Sequence, residues 1–288
     1  METRWLYTTV KDFPALREAA KETCVIPVGC VEKHSLHLPL GQDIIQVSHL
    51  AYAASQIEPM CVFADFTFGD VPGAHPAGSI GLPFTTQFLL LEQLCDVIGQ
   101  SGFKKILLYN GHGGNGNFLN QFMRDIERKK KPYTVVYSMV KLWAPHPMAK
   151  ILLEQGSGAI PELTPEDEAL LLKYHEEKMT LGHAGMGETA FMMGISPESV
   201  KMEYVGIESG LDQNKTAYLK EAGLSIVDGG WGVNYPNEFC GHDPIGCNER
   251  IGKAAVRLEA ERLANAYKVL KEDENIYAWF QERQAKLK

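Results

Sequence analysis

The chain has 288 residues, 45% of them hydrophobic and 22% charged, with a formal net charge of −8. That balance suits a soluble globular enzyme with room for a sizeable core, and an acidic chain lacks the basic stripe that a nucleic-acid partner would require. No apolar run is long enough to span a bilayer and no basic-then-apolar leader opens the chain, so a cytoplasmic protein acting on a small molecule is expected.

The first strong pattern is "CVIPVGC" at 24–30, a short apolar run of strand type. It leads directly into "VEKHSLHLPLGQD" (31–43), which packs three histidines and two carboxylates into one loop-like stretch. "IIQVSHLAYAASQI" (44–57) then reads as a helix, and "MCVFADFTF" (60–68) as a second strand. A helix over 85–102 follows, with Thr85 or Thr86 as its cap and Gly102 as its stop. "KKILLYN" (104–110) and "YTVVYSMV" (133–140) are predicted strands on either side of a helix at 117–131, whose basic end "RKKK" reads as a solvated helix terminus. This alternation predicts an α/β fold, a three-layer sandwich with a mostly parallel central sheet flanked by helices.

Past Val140 the pattern changes. Helices are predicted within 161–179 and 187–194, and a long amphipathic one over 248–274 closes the chain. The Gly-, Asn- and aromatic-rich excursion between them centres on "DGGWGVNYPNEF" (228–239). Its length without regular structure suits either a substrate cover or a plain surface loop. No repeat or linker divides the sequence, so one domain over 1–288 is expected. The six cysteines form no Cys-x-x-Cys pair and read as reduced, buried thiols; Cys240 and Cys247 lack the second ligand pair of a zinc knuckle.

Ligands of open parallel sheets gather beyond the carboxyl ends of the strands. There the sequence places Glu32, His34 and Asp43 after the first strand, His112 in the turn "YNGHGGNGN" after the third, and His183 and Glu188 in "GHAGMGETA". In an extended Glu-x-His both side chains share a face, so Glu32 and His34 are expected to serve adjacent ions. Asp43 can bridge those ions with its two oxygens. A mixed imidazole and carboxylate set suits zinc or manganese and not calcium. His37 and His49 are read instead as hydrogen-bonding histidines of the core.

These residues also carry a resemblance. "PVGCVEKHSLHLPLGQD" resembles the opening signature of the creatininase (creatinine amidohydrolase) family, and "NGHGGN", "HAGMGET" and "GHDPIGCNERIGK" resemble its later motifs, over roughly residues 20 to 265. The resemblance implies an oligomeric enzyme, often a hexamer, with two divalent metal ions per chain: zinc first, manganese or iron as alternatives. It implies Glu32, His34, Asp43 and His112 as ligands, with Asp43 the bridge, and His183 as the proton-transfer residue. Gly78 and Ser79 fall on the segment that approaches substrate. Two departures stand out. Creatininase has His-Tyr-Glu where this chain has His112-Gly113-Gly114, and an acidic residue where this chain has Gly182. Glu188 is the candidate for the vacant ligand position, and it also joins His183 as a catalytic residue.

The implied reaction is attack of metal-activated water on a carbonyl of a small, polar, cyclic substrate, most simply an amide. His183 would protonate the leaving nitrogen, with Gly113, Gly114 and Trp231 lining the substrate. Ring opening of a cyclic diketone such as a diketo-inositol is the first alternative, and a non-catalytic binding protein on the same fold the second. A dinucleotide enzyme is discounted, because "GHGGNG" lacks the Gly-x-Gly-x-x-Gly spacing and has a histidine at its core.

Overall fold

A computed structural model describes residues 1–71, 78–179 and 181–287, which leaves Pro76 and Ala77 of the expected substrate-approaching segment outside the described residues. The chain divides into two compact units. The first comprises Met1–Glu32, Asp43–Lys141 and Leu258–Lys288; the second comprises Lys33–Gln42 and Leu142–Arg257.

The first unit holds the sheet. Strands β1 (Thr23–Val28), β2 (Cys61–Val62), β3 (Lys105–Asn110) and β4 (Thr134–Met139) run parallel in the order β2-β1-β3-β4. The register sets Cys24 against Ile106, and Ile106 against Val135. Helix α1 (Phe13–Ala19) precedes β1, and helices α2 (Gln42–Ile57), α3 (Phe84–Gln100) and α4 (Asn115–Arg128) connect the successive strands. Successive strand residues point to opposite faces. Cys24, Ile26, Val28, Ile106, Leu108 and Val135 accordingly pack with Leu16 of α1, Leu91 and Cys95 of α3, and Phe118 and Phe122 of α4. Burying each such Leu or Phe contributes about 1.5–3 kcal/mol, and truncating Phe122 to Ala would cost about 3–5 kcal/mol.

The alternate residues face the other side, where Tyr109 donates its hydroxyl to Glu259 and Tyr267 donates to the carbonyl of Ala51 on α2. Glu259 and Tyr267 lie on the closing helix, Glu249–Glu272. Its last carbonyls, which no intrahelical N–H can reach, accept from the buried Lys105 Nζ (Leu270 at 2.6 Å) at the start of β3. Helices thus cover both faces of a parallel sheet, as the alternation of runs predicts.

The predicted second strand is much shorter than 60–68. Only Cys61 and Val62 pair regularly with β1; beyond them Phe63 and Phe66 donate to Val25 and Pro27 as isolated contacts. The third helix begins at Phe84, with Pro83 at the cap and no side-chain cap bond, so neither Thr85 nor Thr86 caps it. Gly102 does end it, at φ 92°.

The second unit is helical. Its elements are α5 (His146–Gln155), α6 (Pro165–Glu176), α7 (Met186–Ile195) and two short turns of helix, α8 (Ala217–Glu221) and α9 (Trp231–Asn234). The closing helix, α10, begins here at Glu249 and passes into the first unit at Leu258. A last helix, α11 (Ile276–Ala285), ends the chain. Thr164 opens α6 with a reciprocal capping box to Asp167, and the helix lies within the predicted 161–179.

Candidate metal centre

In the first unit, β1 ends at Val28 and the chain runs on irregularly to Glu32. Asp43 stands in the first turn of α2, where the helix dipole favours a carboxylate. His112 stands two residues past the end of β3. All three side chains are buried, at 8%, 0% and 6% exposure. They converge: His112 Nδ1 lies 3.0 Å from Glu32 Oε1 and 3.0 Å from Asp43 Oδ2.

The other ring nitrogen fixes what Nδ1 can be. His112 Nε2 lies 2.9 Å from the backbone carbonyl of Asp70, which only accepts, so Nε2 carries the hydrogen and donates. Nδ1 therefore turns a lone pair toward two carboxylate oxygens unless a positive centre sits there. Burial opposes a proton on His112, but Cys30, Glu32 and Asp43 outweigh it and hold its pKa well above the usual range. Even a protonated imidazole leaves two buried carboxylates facing one positive charge, a costly state that a divalent cation would relieve. The donor set fits zinc or manganese, and a carbonyl on the far nitrogen is the usual way to orient a metal-binding histidine.

Sequence reasoning missed two parts of this site. Cys30 completes the group: its thiol donates to Asp43 Oδ2 at 3.0 Å, and one donor atom from each of Cys30, Glu32, Asp43 and His112 lies within 4.8 Å of the others. Burial first, then the Asp43 charge, pushes this thiol well above its ordinary pKa. The second part is an amide frame. Asn110 donates to the His112 carbonyl (2.7 Å) and accepts from Asn115 (2.9 Å), while Asn115 also accepts from the Asp70 N–H (2.7 Å). Asn110 and Asn115 are fully buried and clamp both the backbone of His112 and the loop that receives its ring. The signal was present in "YNGHGGNGN", but its asparagines are also ordinary turn residues.

The glycines after His112 have different roles. A Cβ on Gly113 would meet nothing within 4 Å, whereas one on Gly114 would sit 2.4 Å from His112 Nε2 and 3.0 Å from the Asp70 carbonyl. Gly114 is therefore required by the hydrogen bond that orients His112. Ser79 is anchored next to Val31 by the N–H of Ile80 (2.8 Å to the Val31 carbonyl), and its buried Oγ has no partner among the described residues. Gly78 beside it is exposed.

The second unit gathers the other predicted residues. Lys33 and Ser35 both bind Glu208 (2.7 and 3.2 Å) and fasten the segment on either side of His34. His34 Nε2 lies 3.7 Å from Glu188 Oε2, and its ring stacks on His183 at 4.1 Å between centroids. Glu188, in the first turn of α7, accepts the N–H of Ala184 at 2.6 Å. His183 Nε2 donates to the Lys33 carbonyl at 2.7 Å, and its ring makes a T-shaped pair with Trp231 at 5.4 Å between centroids. Gly182 has φ 48°, and a Cβ there would overlap the Cys240 carbonyl, at 1.6 Å.

His37 matches its expected role: it is buried, bonds Thr189 at 3.0 Å, and is lowered to about pKa 4 by burial and then by His34. His49 does not, since it lies exposed on α2. Asn234, in the polar excursion, is committed to Thr216 (2.8 Å) and serves that loop. No helix among the described residues is long and apolar enough to cross a membrane.

Comparison with known proteins gives a concordant result. The family described as "Creatininase: Creatinine amidohydrolase" matches over residues 7–267. No curated protein gives a significant sequence match. Among solved structures, one described as a putative creatinine amidohydrolase from Bacteroides fragilis NCTC 9343 aligns at 20% identity with a TM-score of 0.68, covering 96% of this chain and 99% of that one. A structure described as "Creatininase Mn" aligns at 15% identity and TM-score 0.70, covering 95% and 100%. A mutant creatininase described as the Zn–Zn type does so at 16% identity and TM-score 0.70, with the same coverage. At such identities these likenesses establish the fold.

Proposed function

We propose that this chain, which belongs to the creatininase family of metal-dependent amidohydrolases, hydrolyses the carbonyl–nitrogen bond of a small, polar, cyclic amide. In this proposal residues 1–288 act as one hydrolase domain with two divalent ions, zinc first and manganese or iron as alternatives. The observation that carries it is His112 Nδ1, set between two buried carboxylates while Nε2 is committed to a carbonyl. When bound, such ions polarise a carbonyl oxygen and let water act as a nucleophile near neutral pH.

The proposed ligands are Glu32, Asp43 and His112 for one ion, and His34 and Glu188 for the other. Asp43 would bridge the two ions, a role its two carboxylate oxygens allow. His183 is the proposed acid: its Nε2 donates to the Lys33 carbonyl, so Nδ1 is the nitrogen that would pass a proton to the leaving nitrogen. Gly113 and Gly114 lie at the start of α4, where N–H groups lack intrahelical acceptors and can donate to a developing oxyanion. Gly78, Ser79 and Trp231 are the further residues proposed to meet substrate. Because Gly114 and Gly182 stand where creatininase has carboxylates, creatinine is not the proposed substrate. A cytoplasmic homo-oligomer belongs to the same proposal.

The test is elemental analysis of wild type and Asp43→Ala purified without chelator or added metal, followed by a substrate screen. About two transition-metal ions per chain, lost in the variant, with turnover of cyclic amides, is the expected result. Turnover of cyclic diketones alone would replace the amide reading. A wild type that takes up neither zinc, manganese nor iron would leave a binding protein.

A further inference from the structure

Cys30 is the one member of the first-unit donor group that the proposed hydrolase chemistry does not use. It follows β1 by two residues and is fully buried. Among the described cysteines, it alone belongs to a group of donor atoms able to hold a metal ion. A purely structural thiol behaves as a small hydrophobe, whereas this sulfur is grouped with carboxylate and imidazole donors. It sits 3.0 Å from Asp43 Oδ2, the oxygen that also faces His112 Nδ1 at 3.0 Å. Imidazole nitrogen, two carboxylate oxygens and sulfur thus converge on one point from three elements: the loop after β1, the first turn of α2 and the turn after β3.

We propose that the Cys30 sulfur is a fourth donor to the ion held by Glu32, Asp43 and His112, and that it tilts this position toward zinc and away from manganese. The inference rests on the metal-dependent reading above. The chemistry is that of donor softness: thiolate strongly favours zinc, while a shell of oxygen and imidazole donors discriminates less against manganese. As the ion arrives, the S–H bond breaks, the proton leaves to solvent, and the sulfur lone pair forms the new bond. Nothing is oxidised or reduced. Without the ion, the same sulfur keeps its hydrogen and donates to Asp43, so Cys30 also holds the carboxylate in place for binding.

The test uses cobalt(II) as a spectroscopic stand-in for zinc on the metal-depleted full-length protein. A thiolate ligand gives cobalt(II) an intense near-ultraviolet charge-transfer band, which oxygen and nitrogen ligands do not. The expected result is that band in wild type and its loss in Cys30→Ser with cobalt still bound. X-ray absorption of the zinc-loaded wild type should show a sulfur neighbour at about 2.3 Å. Competition between zinc and manganese should show the zinc preference falling about 10- to 100-fold in Cys30→Ser. Cobalt bound by wild type with no such band and no sulfur neighbour would overturn this inference and leave the metal site standing. Failure of wild type to bind cobalt or zinc at all would overturn both. The wild-type spectrum decides the matter even if the variant folds poorly.

Discussion

Glu32, Asp43 and His112 hang from a strand end, a helix start and a turn framed by buried amides, with ordinary right-handed or extended backbone around them. His34, His183 and Glu188 are held differently. Ser35 (φ 51°), Gly182 (φ 48°) and Ala184 (φ 59°) flank them in the left-handed region, and stacked rings replace the amide frame. For a residue with a Cβ that conformation costs roughly 1–2 kcal/mol. The first group is therefore positioned by the sheet itself. The second is positioned by turns that store strain, as functional sites often do. The difference teaches that a strand-based set can be rigid at little local cost, while a loop-based set needs compensating contacts such as Glu208 on Lys33 and Ser35.

Three experiments would break or sharpen this contrast. The largest effect is expected from His112→Ala set against His183→Ala. Both should cut turnover, the second by roughly 10²- to 10⁴-fold, but only His112→Ala should empty the first-unit position in metal analysis. Equal metal loss in both would merge the two groups into one ligand set. Next comes Asn115→Ala, which removes the bonds to Asp70 and Asn110 without touching a proposed ligand. Zinc affinity should fall about 10- to 100-fold in an equilibrium titration, and stability by about 1–3 kcal/mol in urea. Unchanged affinity would show that His112 needs no frame. The smallest effect is that of Ala184→Gly, which relieves a left-handed alanine while keeping the N–H bond to Glu188. Thermal unfolding should shift upward by no more than about 1 kcal/mol, with metal content unchanged. A clear loss of stability would remove strain from the account.

Much of the first group was legible in the sequence because it obeys local rules. Apolar runs of strand length mark β1 and β3, and the rule that ligands gather past strand ends selects Glu32, Asp43 and His112. The short β2 was not legible: Val62 to Phe66 is apolar enough for a strand, and only the tertiary path, with single contacts to Val25 and Pro27, shows where pairing stops. Cys30 was read as one more buried thiol, because burial and ligation leave the same trace in an apolar run. The capping role of Lys105 toward α10 was likewise hidden, since residues 105 and 270 meet only in the folded chain. His49 misled in the other direction. A histidine amid apolar neighbours reads as core, but its position on α2 turns it to solvent.

The two crowded glycines carry a consequence for how this protein could change its reaction. At 114 a side chain would displace the ring that the site depends on, and at 182 it would displace the strand of chain around Cys240. Installing the acidic residues that creatininase carries at these places is thus no single-step graft. The Asp70 loop and the Cys240 segment must first move aside, so adding a side chain at either place runs through backbone rearrangement before it reaches chemistry.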